Sequence, residues 1–275
     1  MNIQWYPGHM TKALRQMKED LKLIDLVIEL LDARIPLSSR NPDIDELAVN
    51  KSRIVILNKA DLADAGANAA WKEYFSGLGY VCMPLNSRDN HNRERIKNAC
   101  LTACADKIER DQKRGIKNRP VRIMIAGIPN VGKSTFINSF AGKASAKTGN
   151  KPGVTKGSQW IRVDKQLELL DTPGILWPKF EDMDVGRNLA LIGSINDDVL
   201  SLEELSGYLM DYLSLHYPCA LTSRYNGMGF DAVANRLGCI GKGGEYDYNR
   251  VYKGFLDDFR SGRLGRISLE VLEDE

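Results

Sequence analysis

Arg122-Ile123-Met124-Ile125-Ala126-Gly127-Ile128-Pro129-Asn130-Val131-Gly132-Lys133-Ser134-Thr135 decides how this chain reads. The apolar run 122–126 has the make-up of a buried strand, and the segment 133–141 that of a helix. Between them stands G-x4-G-K-S, in the strand–loop–helix setting where that pattern cradles phosphates. The glycines let backbone N–H groups turn inward, and the helix N-terminus adds its positive end. Asn130, Val131, Gly132, Lys133, Ser134 and Thr135 are therefore candidate nucleotide ligands. Lys133 would neutralise the outer phosphates, and Ser134 would give Mg2+ one of the oxygens it prefers.

Further motifs lie on both sides of this loop. Downstream, Asp171-Thr172-Pro173-Gly174 follows the apolar run 167–170. There Asp171 would hold magnesium through a water, and the Gly174 N–H would face the terminal phosphate. Thr155, in Pro152-Gly153-Val154-Thr155, could add a second hydroxyl to the metal; an ordinary loop threonine is the competing reading. Upstream, Asn58-Lys59-Ala60-Asp61 closes the run 53–57. The Asp61 carboxylate can accept from both N1–H and the 2-amino group of guanine; adenine offers neither, and unpaired buried acceptors reject it. Asn58 would bond N7, the Lys59 stem would lie over the base, and the loop at Asn86-Ser87 would reach O6 through backbone N–H. The guanine-reading motif thus precedes the phosphate loop, the reverse of the ordinary GTPase order.

The remaining pattern supplies a scaffold. Apolar runs at 25–31, 53–57, 79–85, 122–126, 159–163 and 167–170 alternate with helical spacing at 10–23, 42–50, 67–77, 93–113 and 133–141. That alternation predicts an α/β fold with a mostly parallel sheet covered on both faces. Beyond a boundary near 176–186 strand runs disappear, and helical spacing takes over at 200–215 and 248–259.

The net charge of +2 conceals an asymmetry: residues 186–275 hold 9 Lys/Arg against 14 Asp/Glu, so the excess of positive charge lies before them. The run from Lys107 to Arg122 suits nucleic-acid phosphates and a solvated helix face equally. The five cysteines form no C-x-x-C pair and read as reduced thiols. No apolar run reaches membrane-spanning length, and the N-terminus lacks the pattern of a signal peptide.

Together these motifs resemble the translation-factor-related GTPases, and their rotated order resembles the circularly permuted members. Trp5-Tyr6-Pro7-Gly8-His9-Met10, Asp32-Ala33-Arg34, Asn58 to Asp61, Gly127 to Thr135 and Asp171 to Phe180 are similar to the ribosome biogenesis GTPase A family of the YlqF/YawG type. The resemblance covers nearly the whole chain and is weakest through 219–247. It implies a circularly permuted P-loop GTPase domain at 1–180, followed by a small helical C-terminal domain at 186–275 that contacts RNA or the ribosome. The implied task is Mg2+-dependent GTP hydrolysis in late assembly of the large (50S) ribosomal subunit, by a cytoplasmic monomer. Its partners would be GTP/GDP and the subunit precursor, with its rRNA and proteins.

The resemblance also bears on catalysis. Many GTPases orient the attacking water with a glutamine directly after the D-x-x-G glycine; here Ile175 stands there, followed by Leu176 and Trp177. The helix 10–23 takes the place of the helix that normally follows this switch, which brings His9 toward the missing glutamine. The family supports His9 as the catalytic residue; an exposed histidine at a helix start is the alternative. Asn130 resembles the asparagine of potassium-activated GTPases, with a loop-shaping asparagine as its alternative. Rival functions are a nucleotide-dependent scaffold with negligible hydrolysis and a GTPase of signalling or membrane traffic.

Overall fold

The computed structural model describes residues 9–116, 119–142, 159–177, 182–241 and 243–272, giving the backbone course alone at 9–14 and 90. Six strands form one sheet: β1 (Leu26–Asp32), β2 (Ser52–Asn58), β3 (Val81–Pro84), β4 (Val121–Ala126), β5 (Gln159–Arg162) and β6 (Leu167–Asp171). Their spatial order is β3-β2-β1-β4-β6-β5, parallel except where β5 meets β6. Strand β4, fourth in the chain, lies between β1 and β6, so the sheet accepts the rotated motif order without a broken layer. The carboxyl ends of the five parallel strands share one edge, where open α/β sheets bind ligands.

Strand periodicity assigns the two faces. Leu26, Ile28 and Leu30 pack with Ile123 and Ile125 beneath α4 (Arg93–Ala103) and α6 (Lys133–Ala141). Val27 and Met124 turn the other way, toward α1 (His9–Leu21) and α2 (Pro42–Leu47). Leu31, Val55 and Leu57 pack under Trp71 and Phe75 of α3 (Ala65–Gly77). Glu29 interrupts the apolar run of β1 and is matched by Arg53 at 2.6 Å and Arg40 at 3.8 Å. Burial pushes its carboxyl up, against the pull of both arginines.

The helix expected at 93–113 is divided. It ends at Ala103, and α5 (Ala105–Lys113) begins after Cys104, whose φ of −111° and ψ of 11° leave the helical region. The Ser52 hydroxyl on β2 donates to the Ala103 carbonyl at 2.6 Å and so takes an acceptor that a continuous helix would need. Several cations of the basic run are ion-paired. Lys107 pairs with Asp25 and Asp111, Arg119 with the same two carboxylates, and Lys113 with Glu109.

After the sheet come α7 (Met183–Leu191), α8 (Leu202–His216), α9 (Pro218–Tyr225), α10 (Phe230–Leu237) and α11 (Tyr248–Ser261). Of these, α7, α9 and α10 occupy stretches where the sequence pattern was not diagnostic. Buried Asp258 holds α11 to its surroundings, accepting from Arg224 at 2.8 Å, Arg263 at 2.6 Å and the Tyr225 hydroxyl at 3.1 Å. The apolar cluster over α4 and α6 runs on without interruption through Leu189, Leu205, Leu209 and Phe255.

Candidate nucleotide site

The phosphate loop leaves β4 and enters α6 through Gly132, at φ 102°. A Cβ there would strike the Asn58 amide, so only glycine lets the two motifs meet. Lys133 is buried, its ammonium donating to the carbonyls of Gly127 at 2.8 Å and Ile128 at 2.7 Å. Burial pulls its pKa down to about 7, partly opposed by Asp171.

Asp171 ends β6 in the neighbouring strand, 2 % exposed. Burial raises its carboxyl to about 6, with Lys133 pulling the other way, and Oδ1 has no hydrogen-bond partner among the described residues. A buried carboxylate oxygen without a partner, at the end of the strand paired with the one that feeds the phosphate loop, suits a hard cation such as Mg2+. Gly174 runs close under the loop: a Cβ there would lie 2.8 Å from the Lys133 ammonium and 2.8 Å from Pro129 Cα. Ile175 is buried with Met17, Leu21 and Leu170, so α1 packs beside the D-x-x-G segment. His9 is the first residue of α1. Thr155 lies outside the described residues.

The base end is assembled from distant segments. Asn58 Nδ2 donates to the Val131 carbonyl at 2.7 Å, and its Oδ1 accepts from the Ser87 N–H at 3.0 Å and hydroxyl at 2.7 Å. Within the loop expected to reach guanine O6, the Ser87 amide is committed to fixing Asn58. Asn86 accepts from the Arg88 N–H at 2.9 Å and shapes the same loop. Lys59, at φ 59°, reaches back to the Asn130 carbonyl at 2.8 Å and to Asp32 at 2.8 Å. Ala60 N–H donates to the Leu85 carbonyl at 3.1 Å, which ties the guanine motif to the end of β3. Asp61 stands exposed at the tip of this turn.

Two groups escaped the sequence reading as site components. Asp32 accepts two bonds from Arg34, each 2.8 Å, and with half-buried Lys59 makes a triad around a buried carboxylate. Burial alone would raise the Asp32 carboxyl, but the Arg34 and Lys59 charges outweigh it and hold it far below the usual range. The other group lies past α7: Asn130 Nδ2 donates to the Gly193 carbonyl at 2.5 Å, and the Ser194 hydroxyl donates to Pro129 O at 2.7 Å. The Asp-Ala-Arg string was visible in the sequence, but nothing local marked Gly193 or Ser194.

The chain is similar to known proteins over nearly its whole length. The family described as 50S ribosome-binding GTPase matches residues 122–209. Ribosome biogenesis GTPase A from Bacillus cereus is 47 % identical over 100 % of this chain and 95 % of its own length. The Thermotoga maritima protein of the same name is 32 % identical, covering 99 % of this chain and 95 % of its own. The crystal structure of GNP-bound YlqF from T. maritima superposes with a TM-score of 0.69 at 28 % identity, over 96 % of this chain and all of that one.

Proposed function

Because the chain belongs to the ribosome biogenesis GTPase A family and is therefore a GTPase, we propose that its hydrolysis cycle drives late maturation of the large (50S) ribosomal subunit. The observation that carries the nucleotide half of this reading is the clasp between distant motifs. Asn58 and Lys59 each bond a carbonyl of the phosphate loop, at 2.7 and 2.8 Å, so base and phosphates are gripped by one unit. The ribosomal half rests on the family.

In this reading Asp61 selects guanine, while Asn58 and Lys59 set the base plane relative to the phosphates. The loop amides from Asn130 to Thr135 and the Lys133 ammonium bind the phosphates, with the Gly174 N–H directed to the terminal one. Mg2+, held by Ser134, Thr155 and, through water, Asp171, would supply charge neutralisation at the β- and γ-phosphoryl groups. Buried, apolar Ile175 offers no group to orient water. His9 at the start of α1 is the residue assigned that task, its neutral imidazole accepting from the water. Potassium activation through Asn130 would use its Oδ1, because the amide nitrogen offers only donors and the carbonyl oxygen the lone pairs a cation takes.

Residues 186–275 are assigned the ribosome-contacting role. Arg250, Lys253 and Arg266 are exposed and have no ion pair among the described residues, whereas Arg260 and Arg263 are held by Asp197 and Asp258. The first three are the candidates for rRNA phosphates. Cytoplasmic location and action as a monomer complete the proposal; no described helix is long and apolar enough to cross a membrane.

Sucrose-gradient sedimentation with large-subunit particles, under a GTP analogue, GDP and no nucleotide, tests it. Co-migration strongest with the analogue, together with turnover raised by the particles, is expected. Absence of co-migration in every state would remove the ribosomal role and favour the signalling reading. Co-migration without turnover would favour the scaffold.

A further inference from the structure

The C-terminal end of the described chain crosses the base end of the nucleotide site. Residues 266–272 form an irregular strap pinned to α8, where the Tyr212 hydroxyl donates to the Ser268 carbonyl at 2.8 Å. From there the strap bonds the segment that follows Asp61. The Ile267 N–H donates to the Leu62 carbonyl at 2.9 Å, and the Ser268 hydroxyl accepts from the Asp64 N–H at 3.1 Å. Leu269 and Glu270 donate to the Arg34 carbonyl at 2.9 and 3.2 Å, and the Glu270 carbonyl accepts from the Trp71 indole at 3.1 Å. The Glu270 carboxylate takes the N–H groups of Leu37 at 2.7 Å and Ser38 at 2.9 Å.

Asp61 therefore sits between two sets of anchors. Before it, Lys59 and Ala60 are fixed by the phosphate loop, Asp32 and the end of β3. After it, Leu62 and Asp64 are fixed by the strap. The Asp61 side chain is short and exposed, so its two-point match to guanine depends on where the backbone holds it. We propose that Ile267–Glu270 is a positioning element for Asp61, so that selectivity for guanine is set partly by residues more than two hundred positions away. The inference rests on the reading of Asp61 as the guanine-reading carboxylate. Linkage makes it reciprocal: base binding tightens the strap, with GDP as effective as GTP because the γ-phosphate takes no part.

The test compares GTP with inosine triphosphate, which lacks only the 2-amino group. Calorimetry in Mg2+ buffer would use the full chain, Ser268→Ala, a chain ending at Arg266, and Asp61→Ala. Loss of one hydrogen bond at Asp64 should reduce the preference for GTP over ITP about threefold in Ser268→Ala, with ITP affinity nearly unchanged. The shortened chain should lose more of that preference, and Asp61→Ala nearly all of it. If Asp61→Ala abolishes the preference while Ser268→Ala retains it, the strap is not a positioning element although Asp61 still reads the base. Equal loss of GTP and ITP affinity would mark a purely structural role and also overturn the inference. A preference that survives Asp61→Ala would defeat the underlying reading and the inference with it. Ser268→Ala decides the matter even if the shortened chain does not fold.

Discussion

The two ends of the proposed nucleotide site are built differently. At the phosphate end one continuous segment, Gly127 to Thr135, carries nearly everything, and its geometry is written in backbone: a left-handed Gly132, a loop, a helix start. At the base end, Asn58 and Lys59 are held by Ser87 past β3 and by Asp32 at the end of β1, while Leu62 and Asp64, after Asp61, are held by the strap at 267–270. A backbone cradle tolerates substitution at most of its side chains. An assembly of side chains depends on each distant contributor, so perturbation there should spread into stability and selectivity together.

The largest expected effect separates chemistry from binding. His9→Ala should lower kcat by about 100-fold, the usual range for a positioned acid or base, while GTP affinity holds within a factor of about two. Single-turnover assays beside calorimetry read both; unchanged turnover on ribosomal particles would remove His9 from the mechanism.

At the base end, Asp32→Asn leaves Arg34 and Lys59 without their buried partner and should cost about 3 kcal/mol in urea unfolding at pH 7. Its pH dependence follows from the depressed carboxyl. The contribution of ionised Asp32 is complete above the ordinary value of 3.8 and is lost as pH falls toward the lower folded value. The gap between wild type and variant should therefore close as the medium is acidified below 3.8. A gap constant with pH would mean that the triad is not ionised as described.

The smallest effect sharpens the contrast. Ser194→Ala removes the bond to Pro129 O and should cost about 1 kcal/mol of stability, with the GTP/ITP preference unmoved because the bond lies at the phosphate end. A changed base preference in that variant would show that the two ends are not separable.

The same contrast explains what the sequence could reveal. The phosphate loop was legible because a backbone cradle needs glycine, lysine and serine at fixed local spacing, and the parallel strands because their buried stretches are mostly apolar. Asn58 to Asp61 was legible for its residue types. Its support was not, since the strap residues that bond Leu62 and Asp64 stand more than two hundred positions away and no local pattern encodes them. The division at Cys104 depends on Ser52 reaching across from another strand. The ion pairs within the charge run at 107–122 were not legible because Asp25, which matches two of its cations, lies far upstream.

The central claim is that Asp61 and the phosphate loop serve one guanine nucleotide. Asp61→Asn tests it most directly, because an amide presents one donor and one acceptor where the carboxylate presents two acceptors, and xanthine's 2-oxo and N1–H groups complement the amide. Calorimetric titration should show the preference passing from GTP to xanthosine triphosphate. A variant that still favours GTP over XTP as strongly as the parent would contradict the account.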